Sequence, residues 1–92
     1  MSVLSVAQLD VLLVEPSATQ YKIINEYLQE IGVTAITRVA NGAQTLAAIG
    51  ARTPDLVISA MHLADMTGTE LLQTLRNTER TLDLPFMLFS SE

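Results

Sequence analysis

Three short apolar runs punctuate the chain: Val11-Leu12-Leu13-Val14, Leu56-Val57-Ile58 and Phe86-Met87-Leu88-Phe89. None alternates with polar residues, so each predicts a strand buried on both faces, the habit of parallel sheets. A weaker run, Thr34 to Val39, is interrupted by Thr37 and Arg38 and suits an edge strand. Between the runs the hydrophobic period lengthens from 2 to about 3.6. From Ser17 to Ile31 the positions Tyr21, Ile24, Leu28 and Ile31 fall on one stripe, with Lys22, Asn25, Glu26, Gln29 and Glu30 outside it, which predicts an amphipathic helix. Ser17 and Gln20 have capping-box spacing at its start, and Gly32 stands where a C-terminal stop belongs. A second helix is expected from about Gly42 to Gly50 with Leu46 and Ile49 inward, and a third from about Gly68 to Asn77 with Leu71, Leu72 and Leu75 inward. Pro54 and Pro85 each precede a strand, where a missing N–H does least harm.

The order strand, helix, strand, helix, strand, helix, strand, with connections this short, predicts right-handed βαβ crossovers and an open parallel α/β sheet with helices on both faces. A loose N-terminal lead, residues 1–8, is expected to precede a single domain over residues 9–92, since 92 residues rarely support two cores. Composition narrows the chemistry. There is no cysteine, so disulfides, thiolate metal sites and cysteine nucleophiles are excluded, and zinc would have only His62 plus carboxylates. Five Lys+Arg against ten Asp+Glu, a net charge of −5, give no cationic footprint for a phosphate backbone. Nucleic-acid binding is not expected. No apolar run approaches the roughly 20 residues that span a bilayer, and Met1 to Asp10 lacks the charged start of a signal peptide, so no membrane contact and a cytoplasmic location are expected.

In such sheets ligands bind beyond the carboxyl ends of the strands. After the first strand come Glu15 and Pro16, after the third Ser59, Ala60, Met61 and His62, and after the fourth Ser90, Ser91 and Glu92. Five linked segments then carry a resemblance: Val11 through Thr19, Ala40-Asn41-Gly42, Pro54 through Met61, Met66 through Leu72, and Leu84 through Ser90. In order and spacing they resemble the receiver domain of bacterial two-component response regulators, over about residues 9 to 92. The resemblance implies a flavodoxin-like sheet, here incomplete at about four strands and three helices, in the order 2-1-3-4.

It also implies a mechanism. An aspartate at the end of the third strand takes a phosphoryl group, two acids after the first strand help hold Mg²⁺, and a hydroxyl residue after the fourth contacts the phosphoryl group. Carried onto this chain, the phosphoacceptor position is Ala60, whose methyl group cannot be phosphorylated. The acidic pair becomes Glu15 and Pro16, and Ser90 keeps the hydroxyl position. His62 lies where the family offers a backbone carbonyl to the metal, so its side chain need take no part. Mg²⁺ favours octahedral oxygen ligation by one or two carboxylates together with phosphate oxygens. One carboxylate with no nucleophile beside it leads us to expect no metal, no cofactor and no catalysis.

Plainer readings stand beside these. An acid before a helix is also explained by the helix dipole, and a hydroxyl at a strand end by local backbone bonds. Ser59, His62 and Asp65 fall within one seven-residue span but lack a nucleophile elbow, and strand alternation sends Ser59 and Ala60 to opposite faces. Asp65 suits a solvated turn better than a substitute phosphoacceptor.

The fourth strand raises a further expectation. Uncovered by the family's last strand and helices, Phe86, Met87, Leu88 and Phe89 would present both faces and an unpaired edge to water. A complete chain would therefore form a homodimer through this strand, and in a longer protein the missing elements or a further domain would cover it. The expected function is that of a phosphorylation-independent pseudo-receiver acting through protein partners. The alternatives are the regulatory end of a larger signalling enzyme and a small-ligand sensor with Glu15 and Ser90 as polar contacts.

Overall fold

The computed structural model describes residues 6–90. Its elements are β1 (Asp10–Val14), α1 (Ala18–Glu30), β2 (Ala35–Val39), α2 (Gly42–Ala51), β3 (Leu56–Ala60), α3 (Gly68–Arg76) and β4 (Phe86–Phe89). All pairings are parallel, in the order β2-β1-β3-β4. The apolar runs thus became the inner strands and β4, and the interrupted run became the edge strand β2. Of the expected lead, Val6–Gln8 form a 3-10 turn, and residues 1–5 lie outside the described residues, as do Ser91 and Glu92.

Alternation along the strands sorts the core into two layers. Leu12, Val14 and Val57 face α2 and α3, where they pack with Ile49, Leu71, Leu75 and Leu84. Val11, Leu13 and Ile58 face α1, joined by Val33 and by the half-buried Tyr21, Ile24, Leu28 and Phe89. One helix therefore serves a face of the same four strands that two helices cover on the other side. No residue of α1 is fully buried, whereas α2 buries Thr45 and Ile49 and α3 buries Leu71 and Leu75.

Local chemistry explains the helix ends. Ser17 caps α1 by accepting from the Gln20 N–H at 3.2 Å. The expected capping box is only half formed, because the Ser17 N–H donates to Glu15 Oε2 instead of to Gln20. Gly32 adopts a φ of 100°, which ends the helix where the sequence placed a stop. Ile31 departs from the expected stripe: it is the C-cap and is exposed, because the helical turn no longer carries its side chain inward. A complete capping box stands at α3 instead, with Thr67 and Glu70 bonded reciprocally.

The fourth strand is also less bare than expected. Phe86 packs into the α2/α3 layer and Phe89 into the α1 layer, which leaves Met87 as its exposed side chain.

Candidate functional site

The crevice at the carboxyl ends of the strands is built around the β1–α1 turn. Glu15 N donates to Val39 O at 3.0 Å, so the chain stays paired to β2 one residue past β1. Its side chain folds back into the protein and is only 4% exposed. Oε2 accepts from Ser17 N at 2.8 Å, and Oε1 is buried with no hydrogen-bond partner. Arg38, from the edge strand, clamps the turn from outside: Nε and one terminal nitrogen donate to the Glu15 carbonyl, and the latter also reaches the Pro16 carbonyl. Its guanidinium lies 5.3 Å from the centre of the Tyr21 ring.

The register Val14↔Ser59 brings Glu15 level with Ala60 at the strand ends. Ala60 is buried, and its carbonyl accepts the Ser59 hydroxyl at 2.9 Å. Phe89 pairs with Ala60, so Ser90 follows immediately beyond the same rim. His62 is exposed and pairs through its backbone with Thr67. Glu15, Pro16, Ala60 and Ser90 thus come from three adjacent strand ends. Ser59, His62 and Asp65 do not assemble into a triad, because the Ser59 hydroxyl is spent on a carbonyl and Asp65 bonds to α2.

Asp65 Oδ1 accepts from Gly42 N and Oδ2 from Ala43 N, both at 2.9 Å, so the carboxylate grips the first turn of that helix. Those backbone bonds, Gly42 first, hold its pKa below the ordinary carboxylate value. Asp65 is therefore a helix cap supplied from a distant loop and not the freely solvated turn residue expected. Its neighbour Met66 packs so closely on Gly42 that a β-carbon there would overlap the thioether.

A family model described as the response regulator receiver domain matches residues 11–92. The chain belongs to the response regulator receiver domain family. Among curated relatives, the chemotaxis protein CheY of Pseudomonas aeruginosa is 27% identical over 82 residues, 89% of this chain and 66% of the relative. The regulatory protein LuxO of Vibrio cholerae is 29% identical over 79 residues, which is 86% of this chain and 17% of LuxO. This receiver chain therefore spans less than two thirds of these relatives' lengths. Among solved structures, the signal receiver domain of a signal transduction histidine kinase from Syntrophus aciditrophicus superposes with a TM-score of 0.83 at 28% identity, covering 88% of this chain and 61% of that one. The chemotaxis response regulator CheY4 of Vibrio cholerae gives a TM-score of 0.81 at 25% identity, over 91% and 69% of the two chains.

The receiver family implies Mg²⁺, and the residues at this crevice do not fit it. Among the described residues no group of three His, Asp or Glu side chains is placed to hold a metal ion. Glu15 contributes one free carboxylate oxygen, while Pro16 and Ala60 contribute no side-chain donor atom. No helix of the described residues is long and apolar enough to cross a membrane.

Two features of the site were hidden in the sequence. Arg38 registers there only as an interruption of a strand, and the bond from Asp65 to α2 spans 22 to 23 residues. A carboxylate three residues before an N-terminal glycine of α3 gives no hint of which helix it will cap.

Proposed function

We propose that this receiver acts as a phosphorylation-independent pseudo-receiver in bacterial two-component-type signalling, working by protein–protein contact with no catalysis of its own. One observation carries the reading: Ala60, the residue at the phosphoacceptor position at the end of β3, presents a methyl group level with the lone carboxylate of Glu15. Phosphoryl transfer to a receiver needs an acceptor oxygen and a cation to neutralise developing charge. Pro16 and Ala60 remove the acceptor and two of the oxygen ligands, and the Asp65 carboxylate is committed to α2. His62 and Ser90 remain beside the crevice without an acceptor to serve.

The test is incubation with acetyl phosphate and Mg²⁺, followed by intact-mass measurement. The expected result is an unchanged mass. A stoichiometric, hydroxylamine-labile gain of one phosphoryl group overturns the reading.

The partners proposed are proteins, and one of them is a second copy joined through the free edge of β4, whose outer backbone groups have no neighbouring strand among the described residues. Light scattering over a range of concentrations checks this: a dimer is expected, and a concentration-independent monomer overturns it. A cytoplasmic location is part of the same proposal.

A second reading, that the chain is the regulatory segment of a larger signalling protein, is favoured by the small share of LuxO that it matches. Reading the genomic frame beyond the codon for Glu92 decides that point.

A further inference from the structure

The side of α1 turned away from β2 is apolar and exposed. Ile23, Tyr27 and Ile31, four residues apart, are 44%, 67% and 64% exposed. Their direction follows from Tyr21, whose ring meets Arg38 of the edge strand β2. At 3.6 residues per turn, Ile23 and Tyr27 lie roughly 120–160° round the helix from Tyr21. They therefore face the β4 side of the sheet. On that side Met87 and Phe89 share the α1 face with Ile58 and Ala60, and Met87 is 53% exposed. No described helix lies over this part of the sheet, since α2 and α3 pack on the opposite face. The result is a step, with a helix flank for its wall and the end of a sheet for its floor.

The rim of the step carries a sign. A groove of about 220 Å³ on α1 is lined by Ile23, Tyr27, Glu26 and Glu30. Glu26 and Glu30 are four residues apart, a like-charge spacing that is mildly unfavourable in an isolated helix. Among the described residues neither carboxylate is in an ion pair.

We infer that the step between α1 and β4 is a docking site for an amphipathic helix of another protein that carries Lys or Arg at the border of its apolar stripe. Apolar anchors at i, i+3, i+4 and i+7 would cover Ile23, Tyr27, Ile31 and Met87, and cations one turn apart would meet Glu26 and Glu30. No described helix of a second copy has this chemistry. α1 carries one cation, Lys22, α2 carries none, and the one cation of α3, Arg76, donates to the Thr81 carbonyl. With ten acids against five Lys+Arg, the chain repels its own acidic rim. The inference rests on the protein-contact reading above and names the partner's chemistry. Its test reads helix binding and is blind to phosphorylation, so the two can fail separately.

The probe is a fluorescent 18-residue Leu/Lys peptide with apolar positions at helical spacing, titrated into the full chain and followed by anisotropy and by amide chemical shifts. A Leu/Glu peptide of the same pattern is the control. Binding of the Leu/Lys peptide is expected, with shifts centred on Ile23, Tyr27, Ile31 and Met87. The Tyr27→Ser variant, exposed enough to fold normally by circular dichroism, is expected to lose about tenfold in affinity. The double variant Glu26→Lys/Glu30→Lys is expected to lose at least as much, while Glu79→Lys/Asp83→Lys, which changes net charge equally, leaves binding intact. The inference is overturned if the peptide does not bind, if the Leu/Glu peptide binds equally, if both double variants weaken binding alike, or if the shifts map elsewhere. It is also overturned if the chain alone self-associates through α1.

Discussion

The two faces of the sheet are built from the same four strands and held in different ways. On the α2/α3 face two helices bury Ile49, Leu71 and Leu75 against Leu12, Val14 and Val57. Polar clamps then tie the ends of α2 to the loops around it. The sequence of α2, Gly42–Ala51, has no acid in its first turn and no base in its last. Both are supplied from elsewhere: Asp65 caps its start, and Arg80 donates to the carbonyls of Ile49 and Gly50 at its end. An anion at the N-terminus and a cation at the C-terminus complement the helix dipole. On the other face α1 stands alone, buries no residue completely, and is capped by its own neighbours Ser17 and Glu15. The closed face is therefore integrated over long sequence separations and carries the stability, while the open face keeps apolar surface in reserve for contact.

The largest effect that would break this comparison concerns leucines. Leu71 is fully buried, so Leu71→Ala is expected to cost about 3–5 kcal/mol through lost transfer energy and a residual cavity. Leu28 of α1 is only half buried and is expected to cost about 1–2 kcal/mol on the same change. Urea denaturation of both variants decides it. Equal losses would mean that the two faces are sealed alike.

Next in size is a pair of glycines at helix starts. A β-carbon on Gly68 would overlap Leu88 and the Ala60 carbonyl, which is backbone of β3 and has nowhere to move. Gly68→Ala is expected to destabilise by about 1–3 kcal/mol. A β-carbon on Gly42 would meet only the Met66 side chain, which can adopt another rotamer, and alanine favours the helix, so Gly42→Ala is expected to cost less than about 1 kcal/mol. Thermal denaturation of the two variants, compared at the same pH, sharpens the contrast. A larger loss at Gly42 would show that Met66 is locked in place.

Much of this was legible because it depends on residues near one another in sequence. The unbroken run Val11-Leu12-Leu13-Val14 announced a strand buried on both faces, and Ser17 and Gly32 marked the limits of α1 to within a residue. Alternation placed Ser59 and Ala60 on opposite faces, and the resemblance placed Glu15, Ala60 and Ser90 at one rim. The hidden part depends on tertiary distance. Nothing local tells that Asp65 will reach α2, that Arg80 will reach its other end, or that Arg38 will clamp the turn at Glu15 and Pro16. Ile31 misled because the 3.6-residue period continues one residue beyond the last helical turn. The fourth strand misled in the other direction, since burial of Phe86 needs the third helix in place before it can be seen.

The smallest effect tests the clamp between Asp65 and α2. Its carboxylate has a folded pKa below the ordinary value of 3.8, because the N–H groups of Gly42 and Ala43 favour the ionised form. A depressed carboxylate pKa contributes stability that is fully present above the unfolded value and is lost as the pH falls through the folded one. Wild type is therefore expected to be slightly more stable than Asp65→Asn at pH 7. The gap should hold down to about pH 4, then close as the medium is acidified below 3.8. Urea midpoints for both proteins across this range isolate the contribution, since every other carboxylate titrates in both. A gap that persists unchanged at low pH would mean that Asp65 holds α2 by shape alone. The closed face would then owe its integration to packing and to Arg80, and the contrast with α1 would rest on buried area without the polar clamp at the start of α2.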